Sequence, residues 1–442
     1  MQEISLRREV PSGFAGEFAA RAATAAMRPL QALMAVPCAL FLAALTAMLL
    51  RHPDISFYEI DRVAFGLLVL AVAARAVVSR QSLFAVARAT WPMLGLTLLA
   101  VASVAGQPFD NETWCLLAAK FFVPFALFHL AQLVFTQDRV LRHFEIFAMV
   151  VLAYLSFTSI AFLVGANWLI FPQFILDPSL GYQPDRARGP LLQAVANGVS
   201  LNLLGLLALH AYRRGRIHGI RAALLLASVP VAVLATMTRA VWLSFAGTLL
   251  VLICRFPDRV IRRACLGLVV LATTGTVVAL SFCDLGTAIC DRLAESGPVE
   301  FRQAVYAGGW QMFVERPLTG WGVNQMPNEL ARHVSGYHQR VLYPHNTYLE
   351  LLVEHGVVGL ALYLWLMREL WRLGRGAIPS AERDGFLDQQ FHRLWPILLG
   401  VYWVNAALVV MNYQFVNGLL FTMAGMLAAQ RRRAEEVACA VG

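Results

Sequence analysis

Charge is what this chain has least of. Only 14% of its 442 residues are Asp, Glu, Lys or Arg, against roughly a quarter in a soluble domain, while 59% are hydrophobic. That shortage excludes both an ordinary soluble globule and a disordered segment, which are far less apolar. Lysine is nearly missing: Lys120 stands alone among 36 basic residues, the other 35 being arginine. A formal net charge of +9 remains, but the arginines sit mostly in short loops between apolar runs. They form no single basic face, which argues against a nucleic-acid partner. Seven cysteines show no metal-binding spacing. No internal repeat and no low-complexity linker divides the sequence.

What is present is a series of long apolar runs. Each is about 20 residues, enough to cross a hydrocarbon core of roughly 30 Å as a helix; the strands of a barrel would alternate instead. Spans are expected near 30–50, 62–79, 86–105, 114–135, 144–165, 191–212, 220–236, 239–254, 264–282, 346–367, 394–411 and 415–430. The expected fold is thus an all-α integral membrane protein of about 12 transmembrane helices, one polytopic domain over residues 1–442. Glu3, Arg7, Arg8, Glu9 and Glu17 precede the first run, which points to a cytoplasmic tail rather than a cleaved signal peptide. The N-terminal tail, the 80–88 turn, Arg139 with Arg142, the clusters at 213–221 and 255–263, the 368–393 loop and Arg431–Arg433 all fall on one face. By the positive-inside rule that face is cytoplasmic, and an even span count leaves both termini there.

The opposite, periplasmic face receives two segments. Residues 283–344, between the ninth and tenth spans, form an inserted subdomain containing "VEFRQAVYAGGWQMFVERPLTGWG". Tyr306, Trp310 and Phe313 share one face of an expected amphipathic helix that Pro317 ends. Residues 166–190 are too broken by proline to span and too aromatic to be free in water, so they are expected to skim the interface. Cys283 and Cys290 fall together on this side, as a small disulfide loop or as two thiols.

Arginine on the outer face runs against the orientation rule. Arg186 and Arg188 precede the sixth span in "DRARG", Arg239 opens the eighth in "TMTRAVWLSF", and Arg302 begins the external helix. Solvated interfacial arginines are the plain alternative for each. As a group they fit an anion, because guanidinium forks match the oxygens of a lipid-linked phosphate or diphosphate. Lys120, about two turns into the fourth span, either adds a further charge or snorkels to the interface. In "PHNTYLELLVEHGVVG" (344–359) Pro344 suits the first helical position and puts His345 in the first turn, where the positive helix end disfavours imidazolium. A neutral imidazole can take a proton from a substrate hydroxyl. Asn346 beside it and Tyr306 on the external helix are further candidate substrate contacts. Glu354 and His355 lie deeper, and an ion pair is expected for Glu354. Gly356 and Gly359 should let a neighbouring helix come close.

"HNTYLELLVEHGVVG" resembles the C-terminal signature of the O-antigen ligase and polymerase superfamily, a His-Asn pair followed by apolar residues, a Glu and spaced glycines. "RPLTGWG" (316–322), "TRAVWL" (238–243) and the Arg-Gly of "RARGP" resemble it too, so the likeness runs over roughly residues 180–370. It is greatest to the ligases. The resemblance implies a GT-C-like glycosyltransferase that needs no metal or other cofactor. Its donor would be a glycan on undecaprenyl diphosphate, its acceptor a sugar hydroxyl of lipid A–core, and its place the periplasmic face of the inner membrane. It also implies two catalytic arginines and a histidine, which carry onto Arg239, Arg302 and His345. Arg292, Arg316, Arg332 and Arg340 share the loop of Arg302, while Arg186 and Arg188 are candidate helpers. The chemistry agrees: a diphosphate leaves readily, so catalysis needs positive charge and a base, and no Asp-x-Asp pair in the external segments offers a metal clamp. Attack opposite the lipid would invert the anomeric centre. Polymerases and protein O-oligosaccharyltransferases share the signature. A twelve-span carrier is the alternative from another class, though carriers tend to show repeated halves.

Overall fold

The computed structural model describes residues 36–51, 60–105 except 81 and 84, 107–282, 297–334, 342–379 and 382–441 except 383. The N-terminal charged residues and Cys283 and Cys290 lie outside them. A helix occupies each of the twelve expected apolar segments. These are α1 (Val36–Leu49), α2 (Ile60–Ser79), α3 (Thr90–Ala105), α4 (Asn111–Val134), α5 (Asp138–Leu163), α6 (Ala194–Arg213), α7 (Gly219–Ala235), α8 (Arg239–Arg255) and α9 (Arg259–Phe282). Two further helices, α10 (Gly297–Glu315) and α11 (Met326–His333), precede α12 (Thr347–Leu373), α13 (Gln389–Ala406) and α14 (Gln414–Val441). Among the described residues, α2, α4, α5, α6 and α12 are long and apolar enough to cross a membrane, and α1, α3 and α7 are apolar but shorter.

Local chemistry fixes several helix starts. Asp110, Asn346 and Asp388 cap α4, α12 and α13, each side chain accepting two otherwise orphaned amides. Helix α6 is buried on every side from Ala194 to Ala211 and forms the centre, wrapped by α5, α7, α8 and α13. Outward positions are apolar as well: Leu70, Val77, Leu98, Val150 and Leu243 are all exposed. An apolar exterior around a packed interior is the pattern a bilayer demands.

The connections meet in two groups. At one end Arg51 donates to Gln414, the Ala187 amide to the Ala235 carbonyl, Gln325 to Gln107 and Thr347 to the Val409 carbonyl. At the other, Arg213 bridges Asp258 and Asp388, Arg214 pairs with Glu145 at 3.1 Å, and Arg433 with Glu382 at 2.7 Å. Consecutive bundle helices therefore run up and down, with the arginine-rich loops gathered at one end.

Over the other end sits a cap built by α10 and α11. It has its own apolar cluster: Val305, Met312, Met326, Leu330, Val334 and Leu342. The cluster does not stop at residue 344, because it draws in Leu349 and Val353 from α12. Helix α10 ends at Glu315, just before Pro317. Of its three aromatics Tyr306 and Phe313 are half-buried, whereas Trp310 is exposed. The 166–190 segment contains only single 3-10 turns; Trp168 and Phe171 project outward, and the Tyr154 hydroxyl holds the Phe171 carbonyl at 2.8 Å.

Candidate active site

Three of the expected residues converge beside the start of α12. His345 lies just ahead of the helix rather than in its first turn, in a left-handed conformation with φ of 46°. The reason is that Asn346, not Pro344, serves as the cap, its Oδ1 accepting the Tyr348 and Leu349 amides at 2.9 and 3.1 Å. Thr347 then hooks the helix to the 407–413 loop, donating to the Val409 carbonyl and accepting the Met411 amide, both at 2.9 Å. From α10, Phe301 sets its ring edge against His345 at 6.2 Å between centroids, and the Tyr306 hydroxyl points at the His345 carbonyl at 3.5 Å. Burial pushes the His345 imidazole below its ordinary pKa, and the nearby Arg302 cation pushes it further the same way. The ring is therefore uncharged at neutral pH and can accept a proton.

Arg302 is the arginine of that loop whose field reaches the histidine. Arg316 instead stacks over Trp321 at 4.1 Å, and Arg332 pairs with Glu329 at 2.8 Å; Arg292 and Arg340 lie outside the described residues. Arg302 forms no salt bridge among the described residues, so its charge remains available to an anion. Arg239 opens α8 at the same end of the bundle. Its helix is tied to α13 by Asn405 donating to Ser244 at 2.9 Å, and α13 leads into the loop that Thr347 holds. Arg186 is brought near the end of α7 by the bond of the adjacent Ala187 to Ala235, and its guanidinium lies 3.8 Å from Asp185.

Two expected contacts have other occupations. Arg188 is 1% exposed, and its guanidinium donates to the carbonyls of Ile175, Asp177 and Leu180. It builds the 175–190 loop and offers no free face to a substrate. Lys120 sits on a π-helical turn of α4 (Ala118–Phe122) and is neutralised, 2.8 Å from Glu350 and 3.1 Å from Glu354. The ion pair expected for Glu354 is therefore present, with Lys120 as the partner.

What sequence reasoning missed is a break in α12. Gly356 has φ of 64° inside the helix, and a side chain there would place Cβ 2.2 Å from the Leu318 carbonyl oxygen. The neighbour that comes close is not a helix but the backbone of the 316–322 segment. Trp321 and Gly322 donate to the Val353 and Glu354 carbonyls at 2.9 Å, and Val357 donates to Pro317 at 2.8 Å. Gly320 is equally committed, its Cβ position lying 2.4 Å from the Glu354 backbone. The Asn324 amide closes the arrangement on the Glu354 carboxylate at 3.1 Å. Glycines in both "GWG" and "EHG" were the available signal, but nothing in either stretch alone names the other.

An outer rim of tyrosines completes the site. Tyr343 lies beside Tyr182, and Tyr413 beside Gln193, so the 166–193 segment reaches the cap and the 407–413 loop. Tyr182 and Tyr343 remain exposed.

No curated protein sequence matches the chain. The family model described as O-Antigen ligase matches residues 222–364, a stretch that holds Arg239, Arg302, the 316–322 segment, His345 and the break at Gly356. Over that stretch, and in the motifs it contains, the chain is similar to the O-antigen ligase family.

Proposed function

We propose that the protein is a glycosyltransferase, an O-antigen ligase that moves a glycan from undecaprenyl diphosphate to a sugar hydroxyl of lipid A–core. The reaction runs at the periplasmic face of the inner membrane, in a twelve-span GT-C-like bundle with both termini in the cytoplasm. The observation that carries this reading is the half-buried His345, set ahead of α12 against Phe301 and Tyr306 of α10 and within the field of Arg302. His345 takes the proton of the acceptor hydroxyl. The hydroxyl oxygen attacks the anomeric carbon from the side opposite the lipid, the bond from that carbon to the diphosphate oxygen breaks, and the electron pair leaves on the phosphate. Arg302 and Arg239 stabilise the charge that grows there, which is the larger part of the task when the leaving group is already good. In this reading Arg186, Tyr306 and the side-chain nitrogen of Asn346, whose Oδ1 caps α12, contact substrate, with inversion at the anomeric centre as the outcome.

The break in α12 gives no support to a carrier, since the freed amides and carbonyls are taken up by residues 317–322 rather than by a cavity. Deleting the gene distinguishes the family's acceptors. Loss of the polysaccharide ladder with intact bare core supports ligation. A core capped by one repeat would make the protein a polymerase, and loss of protein glycosylation with a normal ladder would make it an oligosaccharyltransferase. Complementation with Arg239→Ala or His345→Ala is expected to leave expression intact and the ladder absent; normal ladders would remove both assigned roles.

A further inference from the structure

We propose that an arginine-lined cavity at the opposite end of the bundle binds the phosphodiester head group of an anionic phospholipid. The cavity, about 220 Å³, opens between the start of α5, the α6–α7 turn and the loop before α13. Arg139, Arg142, Arg214 and Arg216 line it with Asp138 and Glu145, so four guanidinium groups face two carboxylates. Glu145 is already satisfied, 3.1 Å from Arg214 and 3.8 Å from Arg216. Arg139 and Arg142 are exposed and form no ion pair among the described residues. Arg142 also acts on Glu145, and with Asp138 counted the four guanidinium groups still exceed the two carboxylates, which suits a singly charged phosphate ester accepting from Arg139 and Arg142.

Either a lipid or a soluble phosphate could supply that group, and the surface next to the cavity selects the lipid. From Arg142 the same face of α5 continues through Ile146 and Val150 at four-residue steps, and both are exposed. An acyl chain hanging from a phosphate at Arg139 and Arg142 would run along this stripe. A free phosphate would leave it bare. The site lies at the far end from His345 and does not depend on glycosyl transfer.

Native mass spectrometry of the full-length protein, delipidated in detergent and titrated with phosphatidylglycerol, phosphatidylcholine or inorganic phosphate, tests this. Phosphatidylglycerol is expected to be retained in preference to phosphatidylcholine. At about 1 kcal/mol per arginine near an anionic lipid, Arg139→Gln with Arg142→Gln should weaken that retention on the order of 30-fold. Arg431→Gln with Arg432→Gln, at the same end but already paired with Glu435 and Glu436, should leave it unchanged. Glu145→Gln, which removes a competing carboxylate, should strengthen it about fivefold and so provides a gain that a misfolded variant could not mimic. Equal retention of the two lipids, insensitivity to the Arg139 and Arg142 changes, or displacement of phosphatidylglycerol by inorganic phosphate would overturn the assignment.

Discussion

His345 occupies a left-handed backbone conformation that few side chains tolerate, and asparagine is among the few. His345→Asn is therefore the substitution that preserves the turn while removing the base. Transfer should fall by roughly 10²- to 10⁴-fold, the range of general-base catalysis, with the melting temperature unchanged. The pH profile carries a sign. Because burial and then Arg302 hold the imidazole below its usual pKa, activity should rise with pH along an acid limb lying below the ordinary histidine range of about 6.5. Replacing Arg302 with Gln removes a like charge, makes imidazolium easier to form, and should shift the limb of the residual activity upward. A limb that stays put would mean that the two groups do not interact in the working enzyme. Arg188 illustrates why residue type alone did not sort structural arginines from candidate substrate contacts: it is out of place by the orientation rule, yet three carbonyls of its own loop consume it.

Lys120 joins two elements that the sequence keeps 230 residues apart, the π-helical turn of α4 and the outer half of α12. Its side chain is 11% exposed and that of Glu354 only 2%, so water does little to soften the loss of either. Lys120→Met should cost about 3–5 kcal/mol in unfolding free energy by stranding buried carboxylates. Adding Glu350→Gln and Glu354→Gln should return a large part of it, a coupling that thermal melts in a mutant cycle would reveal. The helices themselves were legible because twenty-residue apolar runs admit few alternatives, and every expected span lies on one. The start of α12 was misread by three residues, at Pro344 instead of Thr347, because proline and asparagine both favour helix N-termini, and only the φ of His345 decides between them. The break at Gly356 was illegible for a different reason: "EHGVVG" remains apolar and helical in pattern, and the segment that replaces its hydrogen bonds lies 34 residues upstream. Partner identity across such a gap is a property of tertiary packing, not of local propensity.

At the scale of the whole molecule, the two groups of connections predict a sidedness that chemistry can read. In a background with the native cysteines replaced, Trp310→Cys on α10 should react with a membrane-impermeant maleimide in spheroplasts, whereas Arg375→Cys should react only after permeabilisation. The reverse pattern would turn the bundle over and put His345 in the cytoplasm. The exposed apolar exterior and the fully enclosed α6 make the bundle a body that lipid can press upon from all sides. Gly356 decides where that pressure goes. Above it, residues 347–355 are fastened to the cap through Leu349, Val353 and two main-chain bonds; below it, Val357 makes one more bond to Pro317 and the rest of the helix to Leu373 belongs to the bundle. A thicker or thinner bilayer should thus lean the lower shaft about a swivel at residue 356 while the spacing between His345 and Arg302 holds steady, insulating the reaction from the mechanics of its surroundings.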